Sequence, residues 1–301
     1  MKRCISKKGI GIEIDLPENY DFLKKEAEKT LSSILKNYPK ANRICKTLMN
    51  DPEVNGCWDV SNYIAVSKLH YNDHGEVHAK IVTANAVKML SLLVKHNITP
   101  DLVAHGGGTY TLDDSFLVIV AAGLLHDIGN QIGRDNHNLY RTYIALDILK
   151  RVLVPIYKNP EMFAEVRGFI LHAIHAHAVS VPDLSIEAAL IGIGDGTDMT
   201  KGRGRLAFDL GGADIHTVSA LAIEKVNIAK GYRKPIRINI TMSNSAGIFQ
   251  IEHSLAAKIK GSPLEDYVEV FATATPKGTK DKRIIYEVTV KNGKIVAREK
   301  R

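Results

Sequence analysis

Cysteine is scarce, three in 301 residues, and Cys4, Cys45 and Cys57 form no CxxC pair. An odd set of thiols with that spacing supports neither a zinc ribbon nor a disulfide framework, and a reducing cytoplasm suits it best. No window approaches ~18 unbroken apolar residues, the length a membrane span needs. The charged opening MKRCISKKG is not followed by an apolar stretch that could act as a signal core, so neither export nor a membrane partner is expected. Internal repeats and low-complexity tracts are missing as well. There is one tryptophan, yet hydrophobic residues make up 45% of the chain, enough to bury a real core. The length suggests one large domain plus a smaller one. Basic residues exceed acidic ones by 40 to 33, a net charge of +7. That favours anionic ligands but falls short of a nucleic-acid signature; a small phosphorylated molecule would suffice.

What is present is mostly helical pattern. After a strand-like opening at Gly9 to Leu16, Leu23, Ala27, Leu31, Ile34 and Leu35 recur at helical spacing until Pro39, and a second helix runs from about Ala41 to Asn50. From Val60 to about Gly231 the pattern stays helical, with breaks at 100–114, 155–160, 180–185 and the glycine-rich run 201–212. At Pro235 the period changes to two: Ile236, Ile238, Ile240 and Met242 alternate with polar residues. A helix follows with Ser245 as N-cap, Ile248, Ile251, Leu255 and Ile259 on one face, and Gly261 past its end. Strand-like runs cover Tyr267 to Ala274 and Arg283 to Val290, and Asn292-Gly293 signals a hairpin into a last strand. The expected fold is mainly α: an N-terminal helical arm over 1–59, an all-helical domain over 60–232, and a small β-α-β-β-β module over 233–301.

The chain holds twelve histidines, and several stand in an ordered series with aspartates. Asp73 can cap a helix with Glu76 three residues on, placing His74 in its first turn and His78 on the same face. That face continues through Val82, Ala86, Met89 and Leu93, so His78 points at the core. His126-Asp127 ends the apolar run Phe116 to Leu125. A carboxylate there must be paired or metal-bound, because leaving it bare would be costly. On a helix starting at Pro160, His177 falls in the stripe of Phe163, Val166, Ile170 and Ile174, whereas His172 and His175 face away. Asp195 and Asp198 share a face, and position alone does not choose between them. Lys201, Arg203 and Arg205 follow in a glycine-rich stretch; with Asp198 they are candidates to meet a phosphate or nucleotide, against the plain alternative of a solvated loop. Asp214 and His216 are read as the start of a helix carrying Val218, Leu221 and Val226. His105-Gly106-Gly107-Gly108 lacks the GxSxG elbow that an esterase oxyanion loop would accompany, and reads as a mobile loop near the site.

A histidine, a distant His-Asp doublet and a late aspartate, here His78, His126-Asp127 and Asp195, resemble the HD superfamily of metal-dependent phosphohydrolases over residues 70–200 or so. The stretch DHGEVHAKIV also resembles the H-x3-H motif of cyclic-nucleotide phosphodiesterases. The resemblance implies His78, His126, Asp127 and Asp195 as ligands of one metal, His74 as proton donor, and His137 and His177 as the added ligands of a second ion. Many members carry a lysine three residues after the doublet's aspartate, as HDxGK; this chain has Asn130 there, and Arg134 is the candidate replacement as a phosphate clamp.

Imidazole plus hard oxygen ligands suit one or two divalent ions, Mn, Mg, Fe, Co or Ni. The expected activity is hydrolysis of a phosphate mono- or diester of a nucleotide or related small molecule by a hydroxide held at the ions, with Asp127 bridging and His74 protonating the leaving oxygen. Two rivals are a di-iron oxygenase on the same scaffold and a nucleotide-binding regulatory module. If the C-terminal unit is regulatory, removing 235–301 leaves hydrolysis intact. A homodimer is allowed for.

Overall fold

A computed structural model describes residues 3–7, 10–14, 18–133, 136–201, 203, 219–274, 287–291 and 294–298. The architecture is mainly α with a small α+β module at the C-terminal end. Strands β1 (Arg3–Lys7) and β2 (Ile10–Ile14) form an antiparallel pair before the helices α1 (Glu18–Leu35), α2 (Pro39–Met49) and α3 (Pro52–Asn62). The main bundle follows: α4 (Glu76–Lys95), the short α5 (Asp101–His105), α6 (Leu112–Leu125), α7 (His137–Leu153), α8 (Pro160–Ala176) and α9 (Ile186–Thr197). The N-caps follow local chemistry. Asp51, Asn159 and Ser185 accept from the first-turn N–H groups of α3, α8 and α9, and Thr111 with Asp114 closes a capping box on α6. Pro39 opens α2, where its missing N–H costs nothing.

The centre is α6, buried on every side from Asp114 to Leu125, as expected of a helix that is apolar all round. It packs on α2, α4, α8 and α9. The crossing with α4 is close because Gly123 has no side chain: a Cβ there would lie 2.5 Å from Thr83 Oγ1 and 3.0 Å from its Cα. Helix α4 is long and apolar enough by length and composition to span a membrane, but about two thirds of that stretch, 67%, is buried against other helices.

The C-terminal sheet has the order β3-β4-β5-β6-β7, with β3 (Ile223–Lys230), β4 (Ile236–Met242), β5 (Val268–Ala274), β6 (Glu287–Lys291) and β7 (Lys294–Arg298). All pairs are antiparallel except β4 and β5, which are parallel and joined through a helical segment at 248–259, called α10. Alternation is strict on β4 and β5, and Ile236, Ile238, Ile240 and Met242 are buried as expected. In α10, Ile251, Leu255 and Ile259 are buried, but Asn244 accepts the capping N–H in place of Ser245, and a π stretch occupies Ile251–Ala256. Lys291 opposite Lys294 closes the last hairpin; its turn residues 292 and 293 lie outside the described residues.

Two helical readings change. Residues 223–230, including Val226, form a strand, so the sheet gains β3 beyond the expected β-α-β-β-β order. The register shifts between Ile223 and Lys225, so buried positions Ile223 and Ile228 are out of phase with a period of two. The break at 100–114 contains α5, whose first N–H groups, on Asp101 and Leu102, donate to Glu187, while Asp101 accepts from Ile186 at 2.6 Å. Asp214 and His216 lie outside the described residues.

The loop before α9 carries a half-buried carboxyl, Asp183, which burial pushes up to about 6 against the pull of Lys258. Its folded value lies above its ordinary one of 3.8, so the unfolded chain holds fewer protons between the two values and stability falls as pH rises through that window. An Asp183→Asn variant is expected to match the wild type near pH 4 and to exceed it at pH 7 by about 1–2 kcal/mol, allowing for solvent screening. Urea midpoints of the two proteins at both pH values check this.

Candidate metal centre

Four helices deliver the central groups. His78 sits in the first turns of α4, His126-Asp127 at the end of α6, His177 at the end of α8 and Asp195 near the end of α9. The order of the series along the chain is thus the order of helix ends around one point. His78, His126, Asp127 and His177 are all buried, with His78 and His126 fully so.

Each of the three imidazoles is braced through Nδ1. His78 Nδ1 lies 2.7 Å from Asp198 Oδ2, His126 Nδ1 2.8 Å from the carbonyl of Gly123, and His177 Nδ1 3.0 Å from the carbonyl of Ile174. Carbonyls and carboxylates only accept, so the proton of each ring is on Nδ1. The Nε2 atoms are left to face one another: His126 Nε2 is 3.1 Å from His78 Nε2. Around them stand Asp195 Oδ1 at 3.2 Å and Asp127 Oδ2 at 3.3 Å from His78 Nε2, and Asp127 Oδ1 at 3.7 Å from His177 Nε2. Two lone pairs at that distance between carboxylates require a positive centre, a proton or a metal ion. Nδ1 bonded outward with Nε2 turned inward is how metal-ligating histidines are held; here guanidinium nitrogens also reach two of the inner atoms, Arg141 Nη1 at 2.8 Å from His177 Nε2 and Arg203 Nη2 at 3.2 Å from His78 Nε2.

The electrostatics agree. Burial opposes charge on His78, and so does Arg203, but Asp127, Asp195 and Asp198 outweigh them and hold its ring charged, pushed up to about 10. His177 goes the other way: burial, Arg141 and His126 keep it well below its ordinary value and neutral. Burial works against ionised Asp127 and Asp195, yet His126 and His74 hold the first, and Lys258 and His78 the second, well below the usual carboxylate range. Three overlapping sets have ligand atoms close enough to hold an ion: His74, His78 and Asp127; His78, His126 and Asp195; His126, Asp127 and His177.

The remaining candidates are placed as follows. His74 lies before α4, not in its first turn: Gly75 is the N-cap, and Asp73 accepts from the N–H groups of Gly75 and His78. Its ring reaches the site all the same, with Nδ1 2.7 Å from Asp127 Oδ2. Asp198 accepts from His78 behind the centre and also lines the cleft. Arg203 enters the site, its Nη1 2.8 Å from the Asp198 carbonyl and its Nη2 3.2 Å from His78 Nε2. Lys201 does not: it pairs with Glu224 on β3 at 2.5 Å and lines a different cavity. His137 opens α7 and lines the cleft without joining a ligand set among the described residues. Asn130 donates from Nδ2 to the Asp127 carbonyl at 3.0 Å; Arg134 and Arg205 lie outside the described residues. His172 accepts from the Leu184 N–H and His175 turns to the Asn138 carbonyl, so both face away as expected. His105 stands beside Glu165 and Phe169, and residues 105–108 do not line the cleft, which corrects their reading as a loop near the site.

Two basic residues were not singled out from the sequence. Arg141 on α7 is fully buried; its Nη1 lies 2.8 Å from His177 Nε2 and 3.2 Å from the His126 carbonyl. It follows His137 by four residues, the spacing that puts both on one helix face. Lys258, on α10, contacts Asp195 Oδ2. No pattern in the sequence linked it to α9. The C-terminal module therefore forms part of the wall: Gln250, His253, Ser254 and Lys258 line a cleft of about 400 Å³ together with His74, Asp127, His177 and Asp195.

Over 256 residues the chain is 43% identical to the uncharacterized protein MJ1020 of Methanocaldococcus jannaschii, spanning 85% of this chain and 95% of that protein. The chain belongs to the family of MJ1020. No protein-family model matches it, and no solved structure does. The match to MJ1020 extends over most of both chains, so the family is defined over more than the helical bundle. The name of that relative assigns no chemistry, and the functional reading rests on the geometry of the site.

Proposed function

We propose that the protein is a metal-dependent phosphohydrolase of the HD type that hydrolyses a mono- or diester of a nucleotide or related small phosphate. The observation that supports it most is the convergence of three Nδ1-braced imidazoles, His78, His126 and His177, on Asp127 and Asp195 at the floor of an open cleft. The donor set fits a divalent ion of the Mn, Fe, Co or Ni kind, with no thiolate in it. One or two such ions, bound there, would supply Lewis acidity and lower the pKa of a water. Asp127 has both carboxylate oxygens facing imidazoles and is suited to serve two ligand sets at once.

The chain's own residues cover the other needs of the reaction. His74 lines the cleft with its ring oriented by Asp127, so it can carry a proton to the leaving oxygen. Arg203 presents a guanidinium beside the ligands, where charge grows on the phosphoryl oxygens. Its backbone-anchored Nε and Nη1, on the carbonyls of Asp73 and Asp198, fix its direction.

The test is a screen of protein loaded with each first-row divalent metal against nucleoside monophosphates, cyclic nucleotides and generic phosphate esters. Turnover is expected with at least one metal and to vanish in His126→Ala. Absence of turnover with every metal and ester sinks the reading. Oxygen uptake confined to iron-loaded protein would assign the oxygenase chemistry in its place.

A further inference from the structure

We propose that Lys258 is the phosphate-receiving cation of the site, supplied by the C-terminal module, and that it competes with a divalent ion for Asp195. The inference rests on the metal-dependent reading above.

Lys258 stands in the last turn of α10 with its side chain 9% exposed, and its Nζ meets Asp195 Oδ2. The other oxygen of the same carboxylate faces His78 Nε2 at 3.2 Å and Arg203 Nη1 at 3.6 Å. Asp195 thus stands between the ammonium on one side and the ligand histidines and Arg203 on the other. A cation drawn in by His78, His126 and Asp195 shares the carboxylate that now neutralises Lys258. The ammonium is largely removed from water, and the helix that carries it is seated on α9: a Cβ on Gly196 would lie 2.5 Å from the Ser254 carbonyl. Asp183 is the other carboxyl that feels its charge, so sharing Asp195 with a cation leaves room for a further anion, and Lys258 already lines the cleft that opens over the ligands.

A phosphate ester fits that demand better than a neutral substrate. It can accept from the planar fork of Arg203 and from the point charge of Lys258 at different oxygens. Asn130, next to the His-Asp doublet, brings an amide committed to the Asp127 carbonyl and no charge to this task. The cation comes instead from a helix some 130 residues away in the chain. Hydrolysis on this reading depends on the α+β module, so the module is not a detachable regulator.

Calorimetric titration of the full-length protein tests the proposal through two affinities. Mn²⁺ is titrated into wild type, Lys258→Met and Lys258→Gln, and inorganic phosphate is then titrated into each Mn-loaded protein. Both variants are expected to bind Mn²⁺ at least as tightly as wild type, because neither holds a charged competitor for Asp195, and to bind phosphate about 10- to 100-fold more weakly. Lys258→Gln keeps a donor for Asp195 and serves if the methionine variant does not fold. A merely structural lysine would weaken both affinities together, and that result overturns the proposal. Unchanged phosphate affinity in a folded variant overturns it while leaving the metal reading standing. A wild type that takes up no Mn²⁺ overturns the metal reading and this inference with it.

Discussion

Asp127→Asn is expected to lose divalent-metal affinity by more than about 100-fold. Residues that only orient a ligand cost about 10- to 100-fold when changed, so removal of a direct ligand should exceed that range. Asp127 meets every imidazole of the centre: Oδ2 is 2.7 Å from His74 Nδ1, 3.3 Å from His78 Nε2 and 3.4 Å from His126 Nε2, and Oδ1 is 3.7 Å from His177 Nε2. An amide keeps the volume but removes the charge and places a donor among these rings. Asp198→Asn is the comparison, because Asp198 touches His78 through Nδ1, on the side of the ring away from the centre. Its loss is expected to stay within about 10- to 100-fold. Calorimetric titration of Mn²⁺ into both variants separates the two roles. An Asp127→Asn protein that binds within about tenfold of wild type, against that expectation for a direct ligand, would show that the buried carboxylate only neutralises the histidines.

The parts of this site that could be read from the chain are those carried by strong periodicity. His126-Asp127 stood out because a charged doublet closes the most apolar run, and α6 proves buried along nearly its whole length. His177 could be sorted from His172 and His175 because α8 starts at a proline and keeps one phase to its end. His74 was harder, since Gly75 takes the cap position and shifts the helix start past it; the ring reaches Asp127 from a loop whose path no period encodes. Strand β3 was hidden for a physical reason, the bulge that puts Ile223 and Ile228 five residues apart on one buried face. Lys258 depends on how separate segments meet, and local pattern says nothing about that; Arg203 is a candidate from the sequence, in the glycine-rich stretch after Asp198, but its contact with His78 comes from packing. Lys201 looked equivalent to Arg203, yet two residues of helical turn send it to Glu224 on the sheet. The candidate site was thus most legible where a residue sits at the end of a long helix, and least where one arrives by tertiary packing.

Arg141 is the strongest instance of the second kind, and Arg141→Met is expected to cost about 3–5 kcal/mol of stability. The side chain is fully buried, and its guanidinium ties together two helix ends. Nη1 donates to the His126 carbonyl at 3.2 Å, beyond the last turn of α6; Nη2 donates to the His175 carbonyl at 3.2 Å, in the last turn of α8, and to Asn138 Oδ1 at 2.6 Å. Methionine fills much of the volume but leaves these acceptors in the interior without their donor, and each buried acceptor so left costs about 1–3 kcal/mol. For a chain of this size the midpoint of thermal unfolding should fall by on the order of 10 °C. The two carbonyl bonds also set where the backbones carrying His126 and His177 sit, and that positioning outweighs the competition of Nη1, 2.8 Å from His177 Nε2, with an ion for the same nitrogen. Mn²⁺ affinity should therefore fall as well, by about 10- to 100-fold, as for other groups that orient ligands. Lys at 141 can reach one carbonyl but not span both, so Arg141→Lys should recover only part of either loss. Thermal melts of the three proteins with and without Mn²⁺ check both effects. A methionine variant that melts within about 2 °C of wild type, less than 1 kcal/mol by the usual scaling, would mean that the two helix ends are held by the apolar packing of α6 and α8 alone.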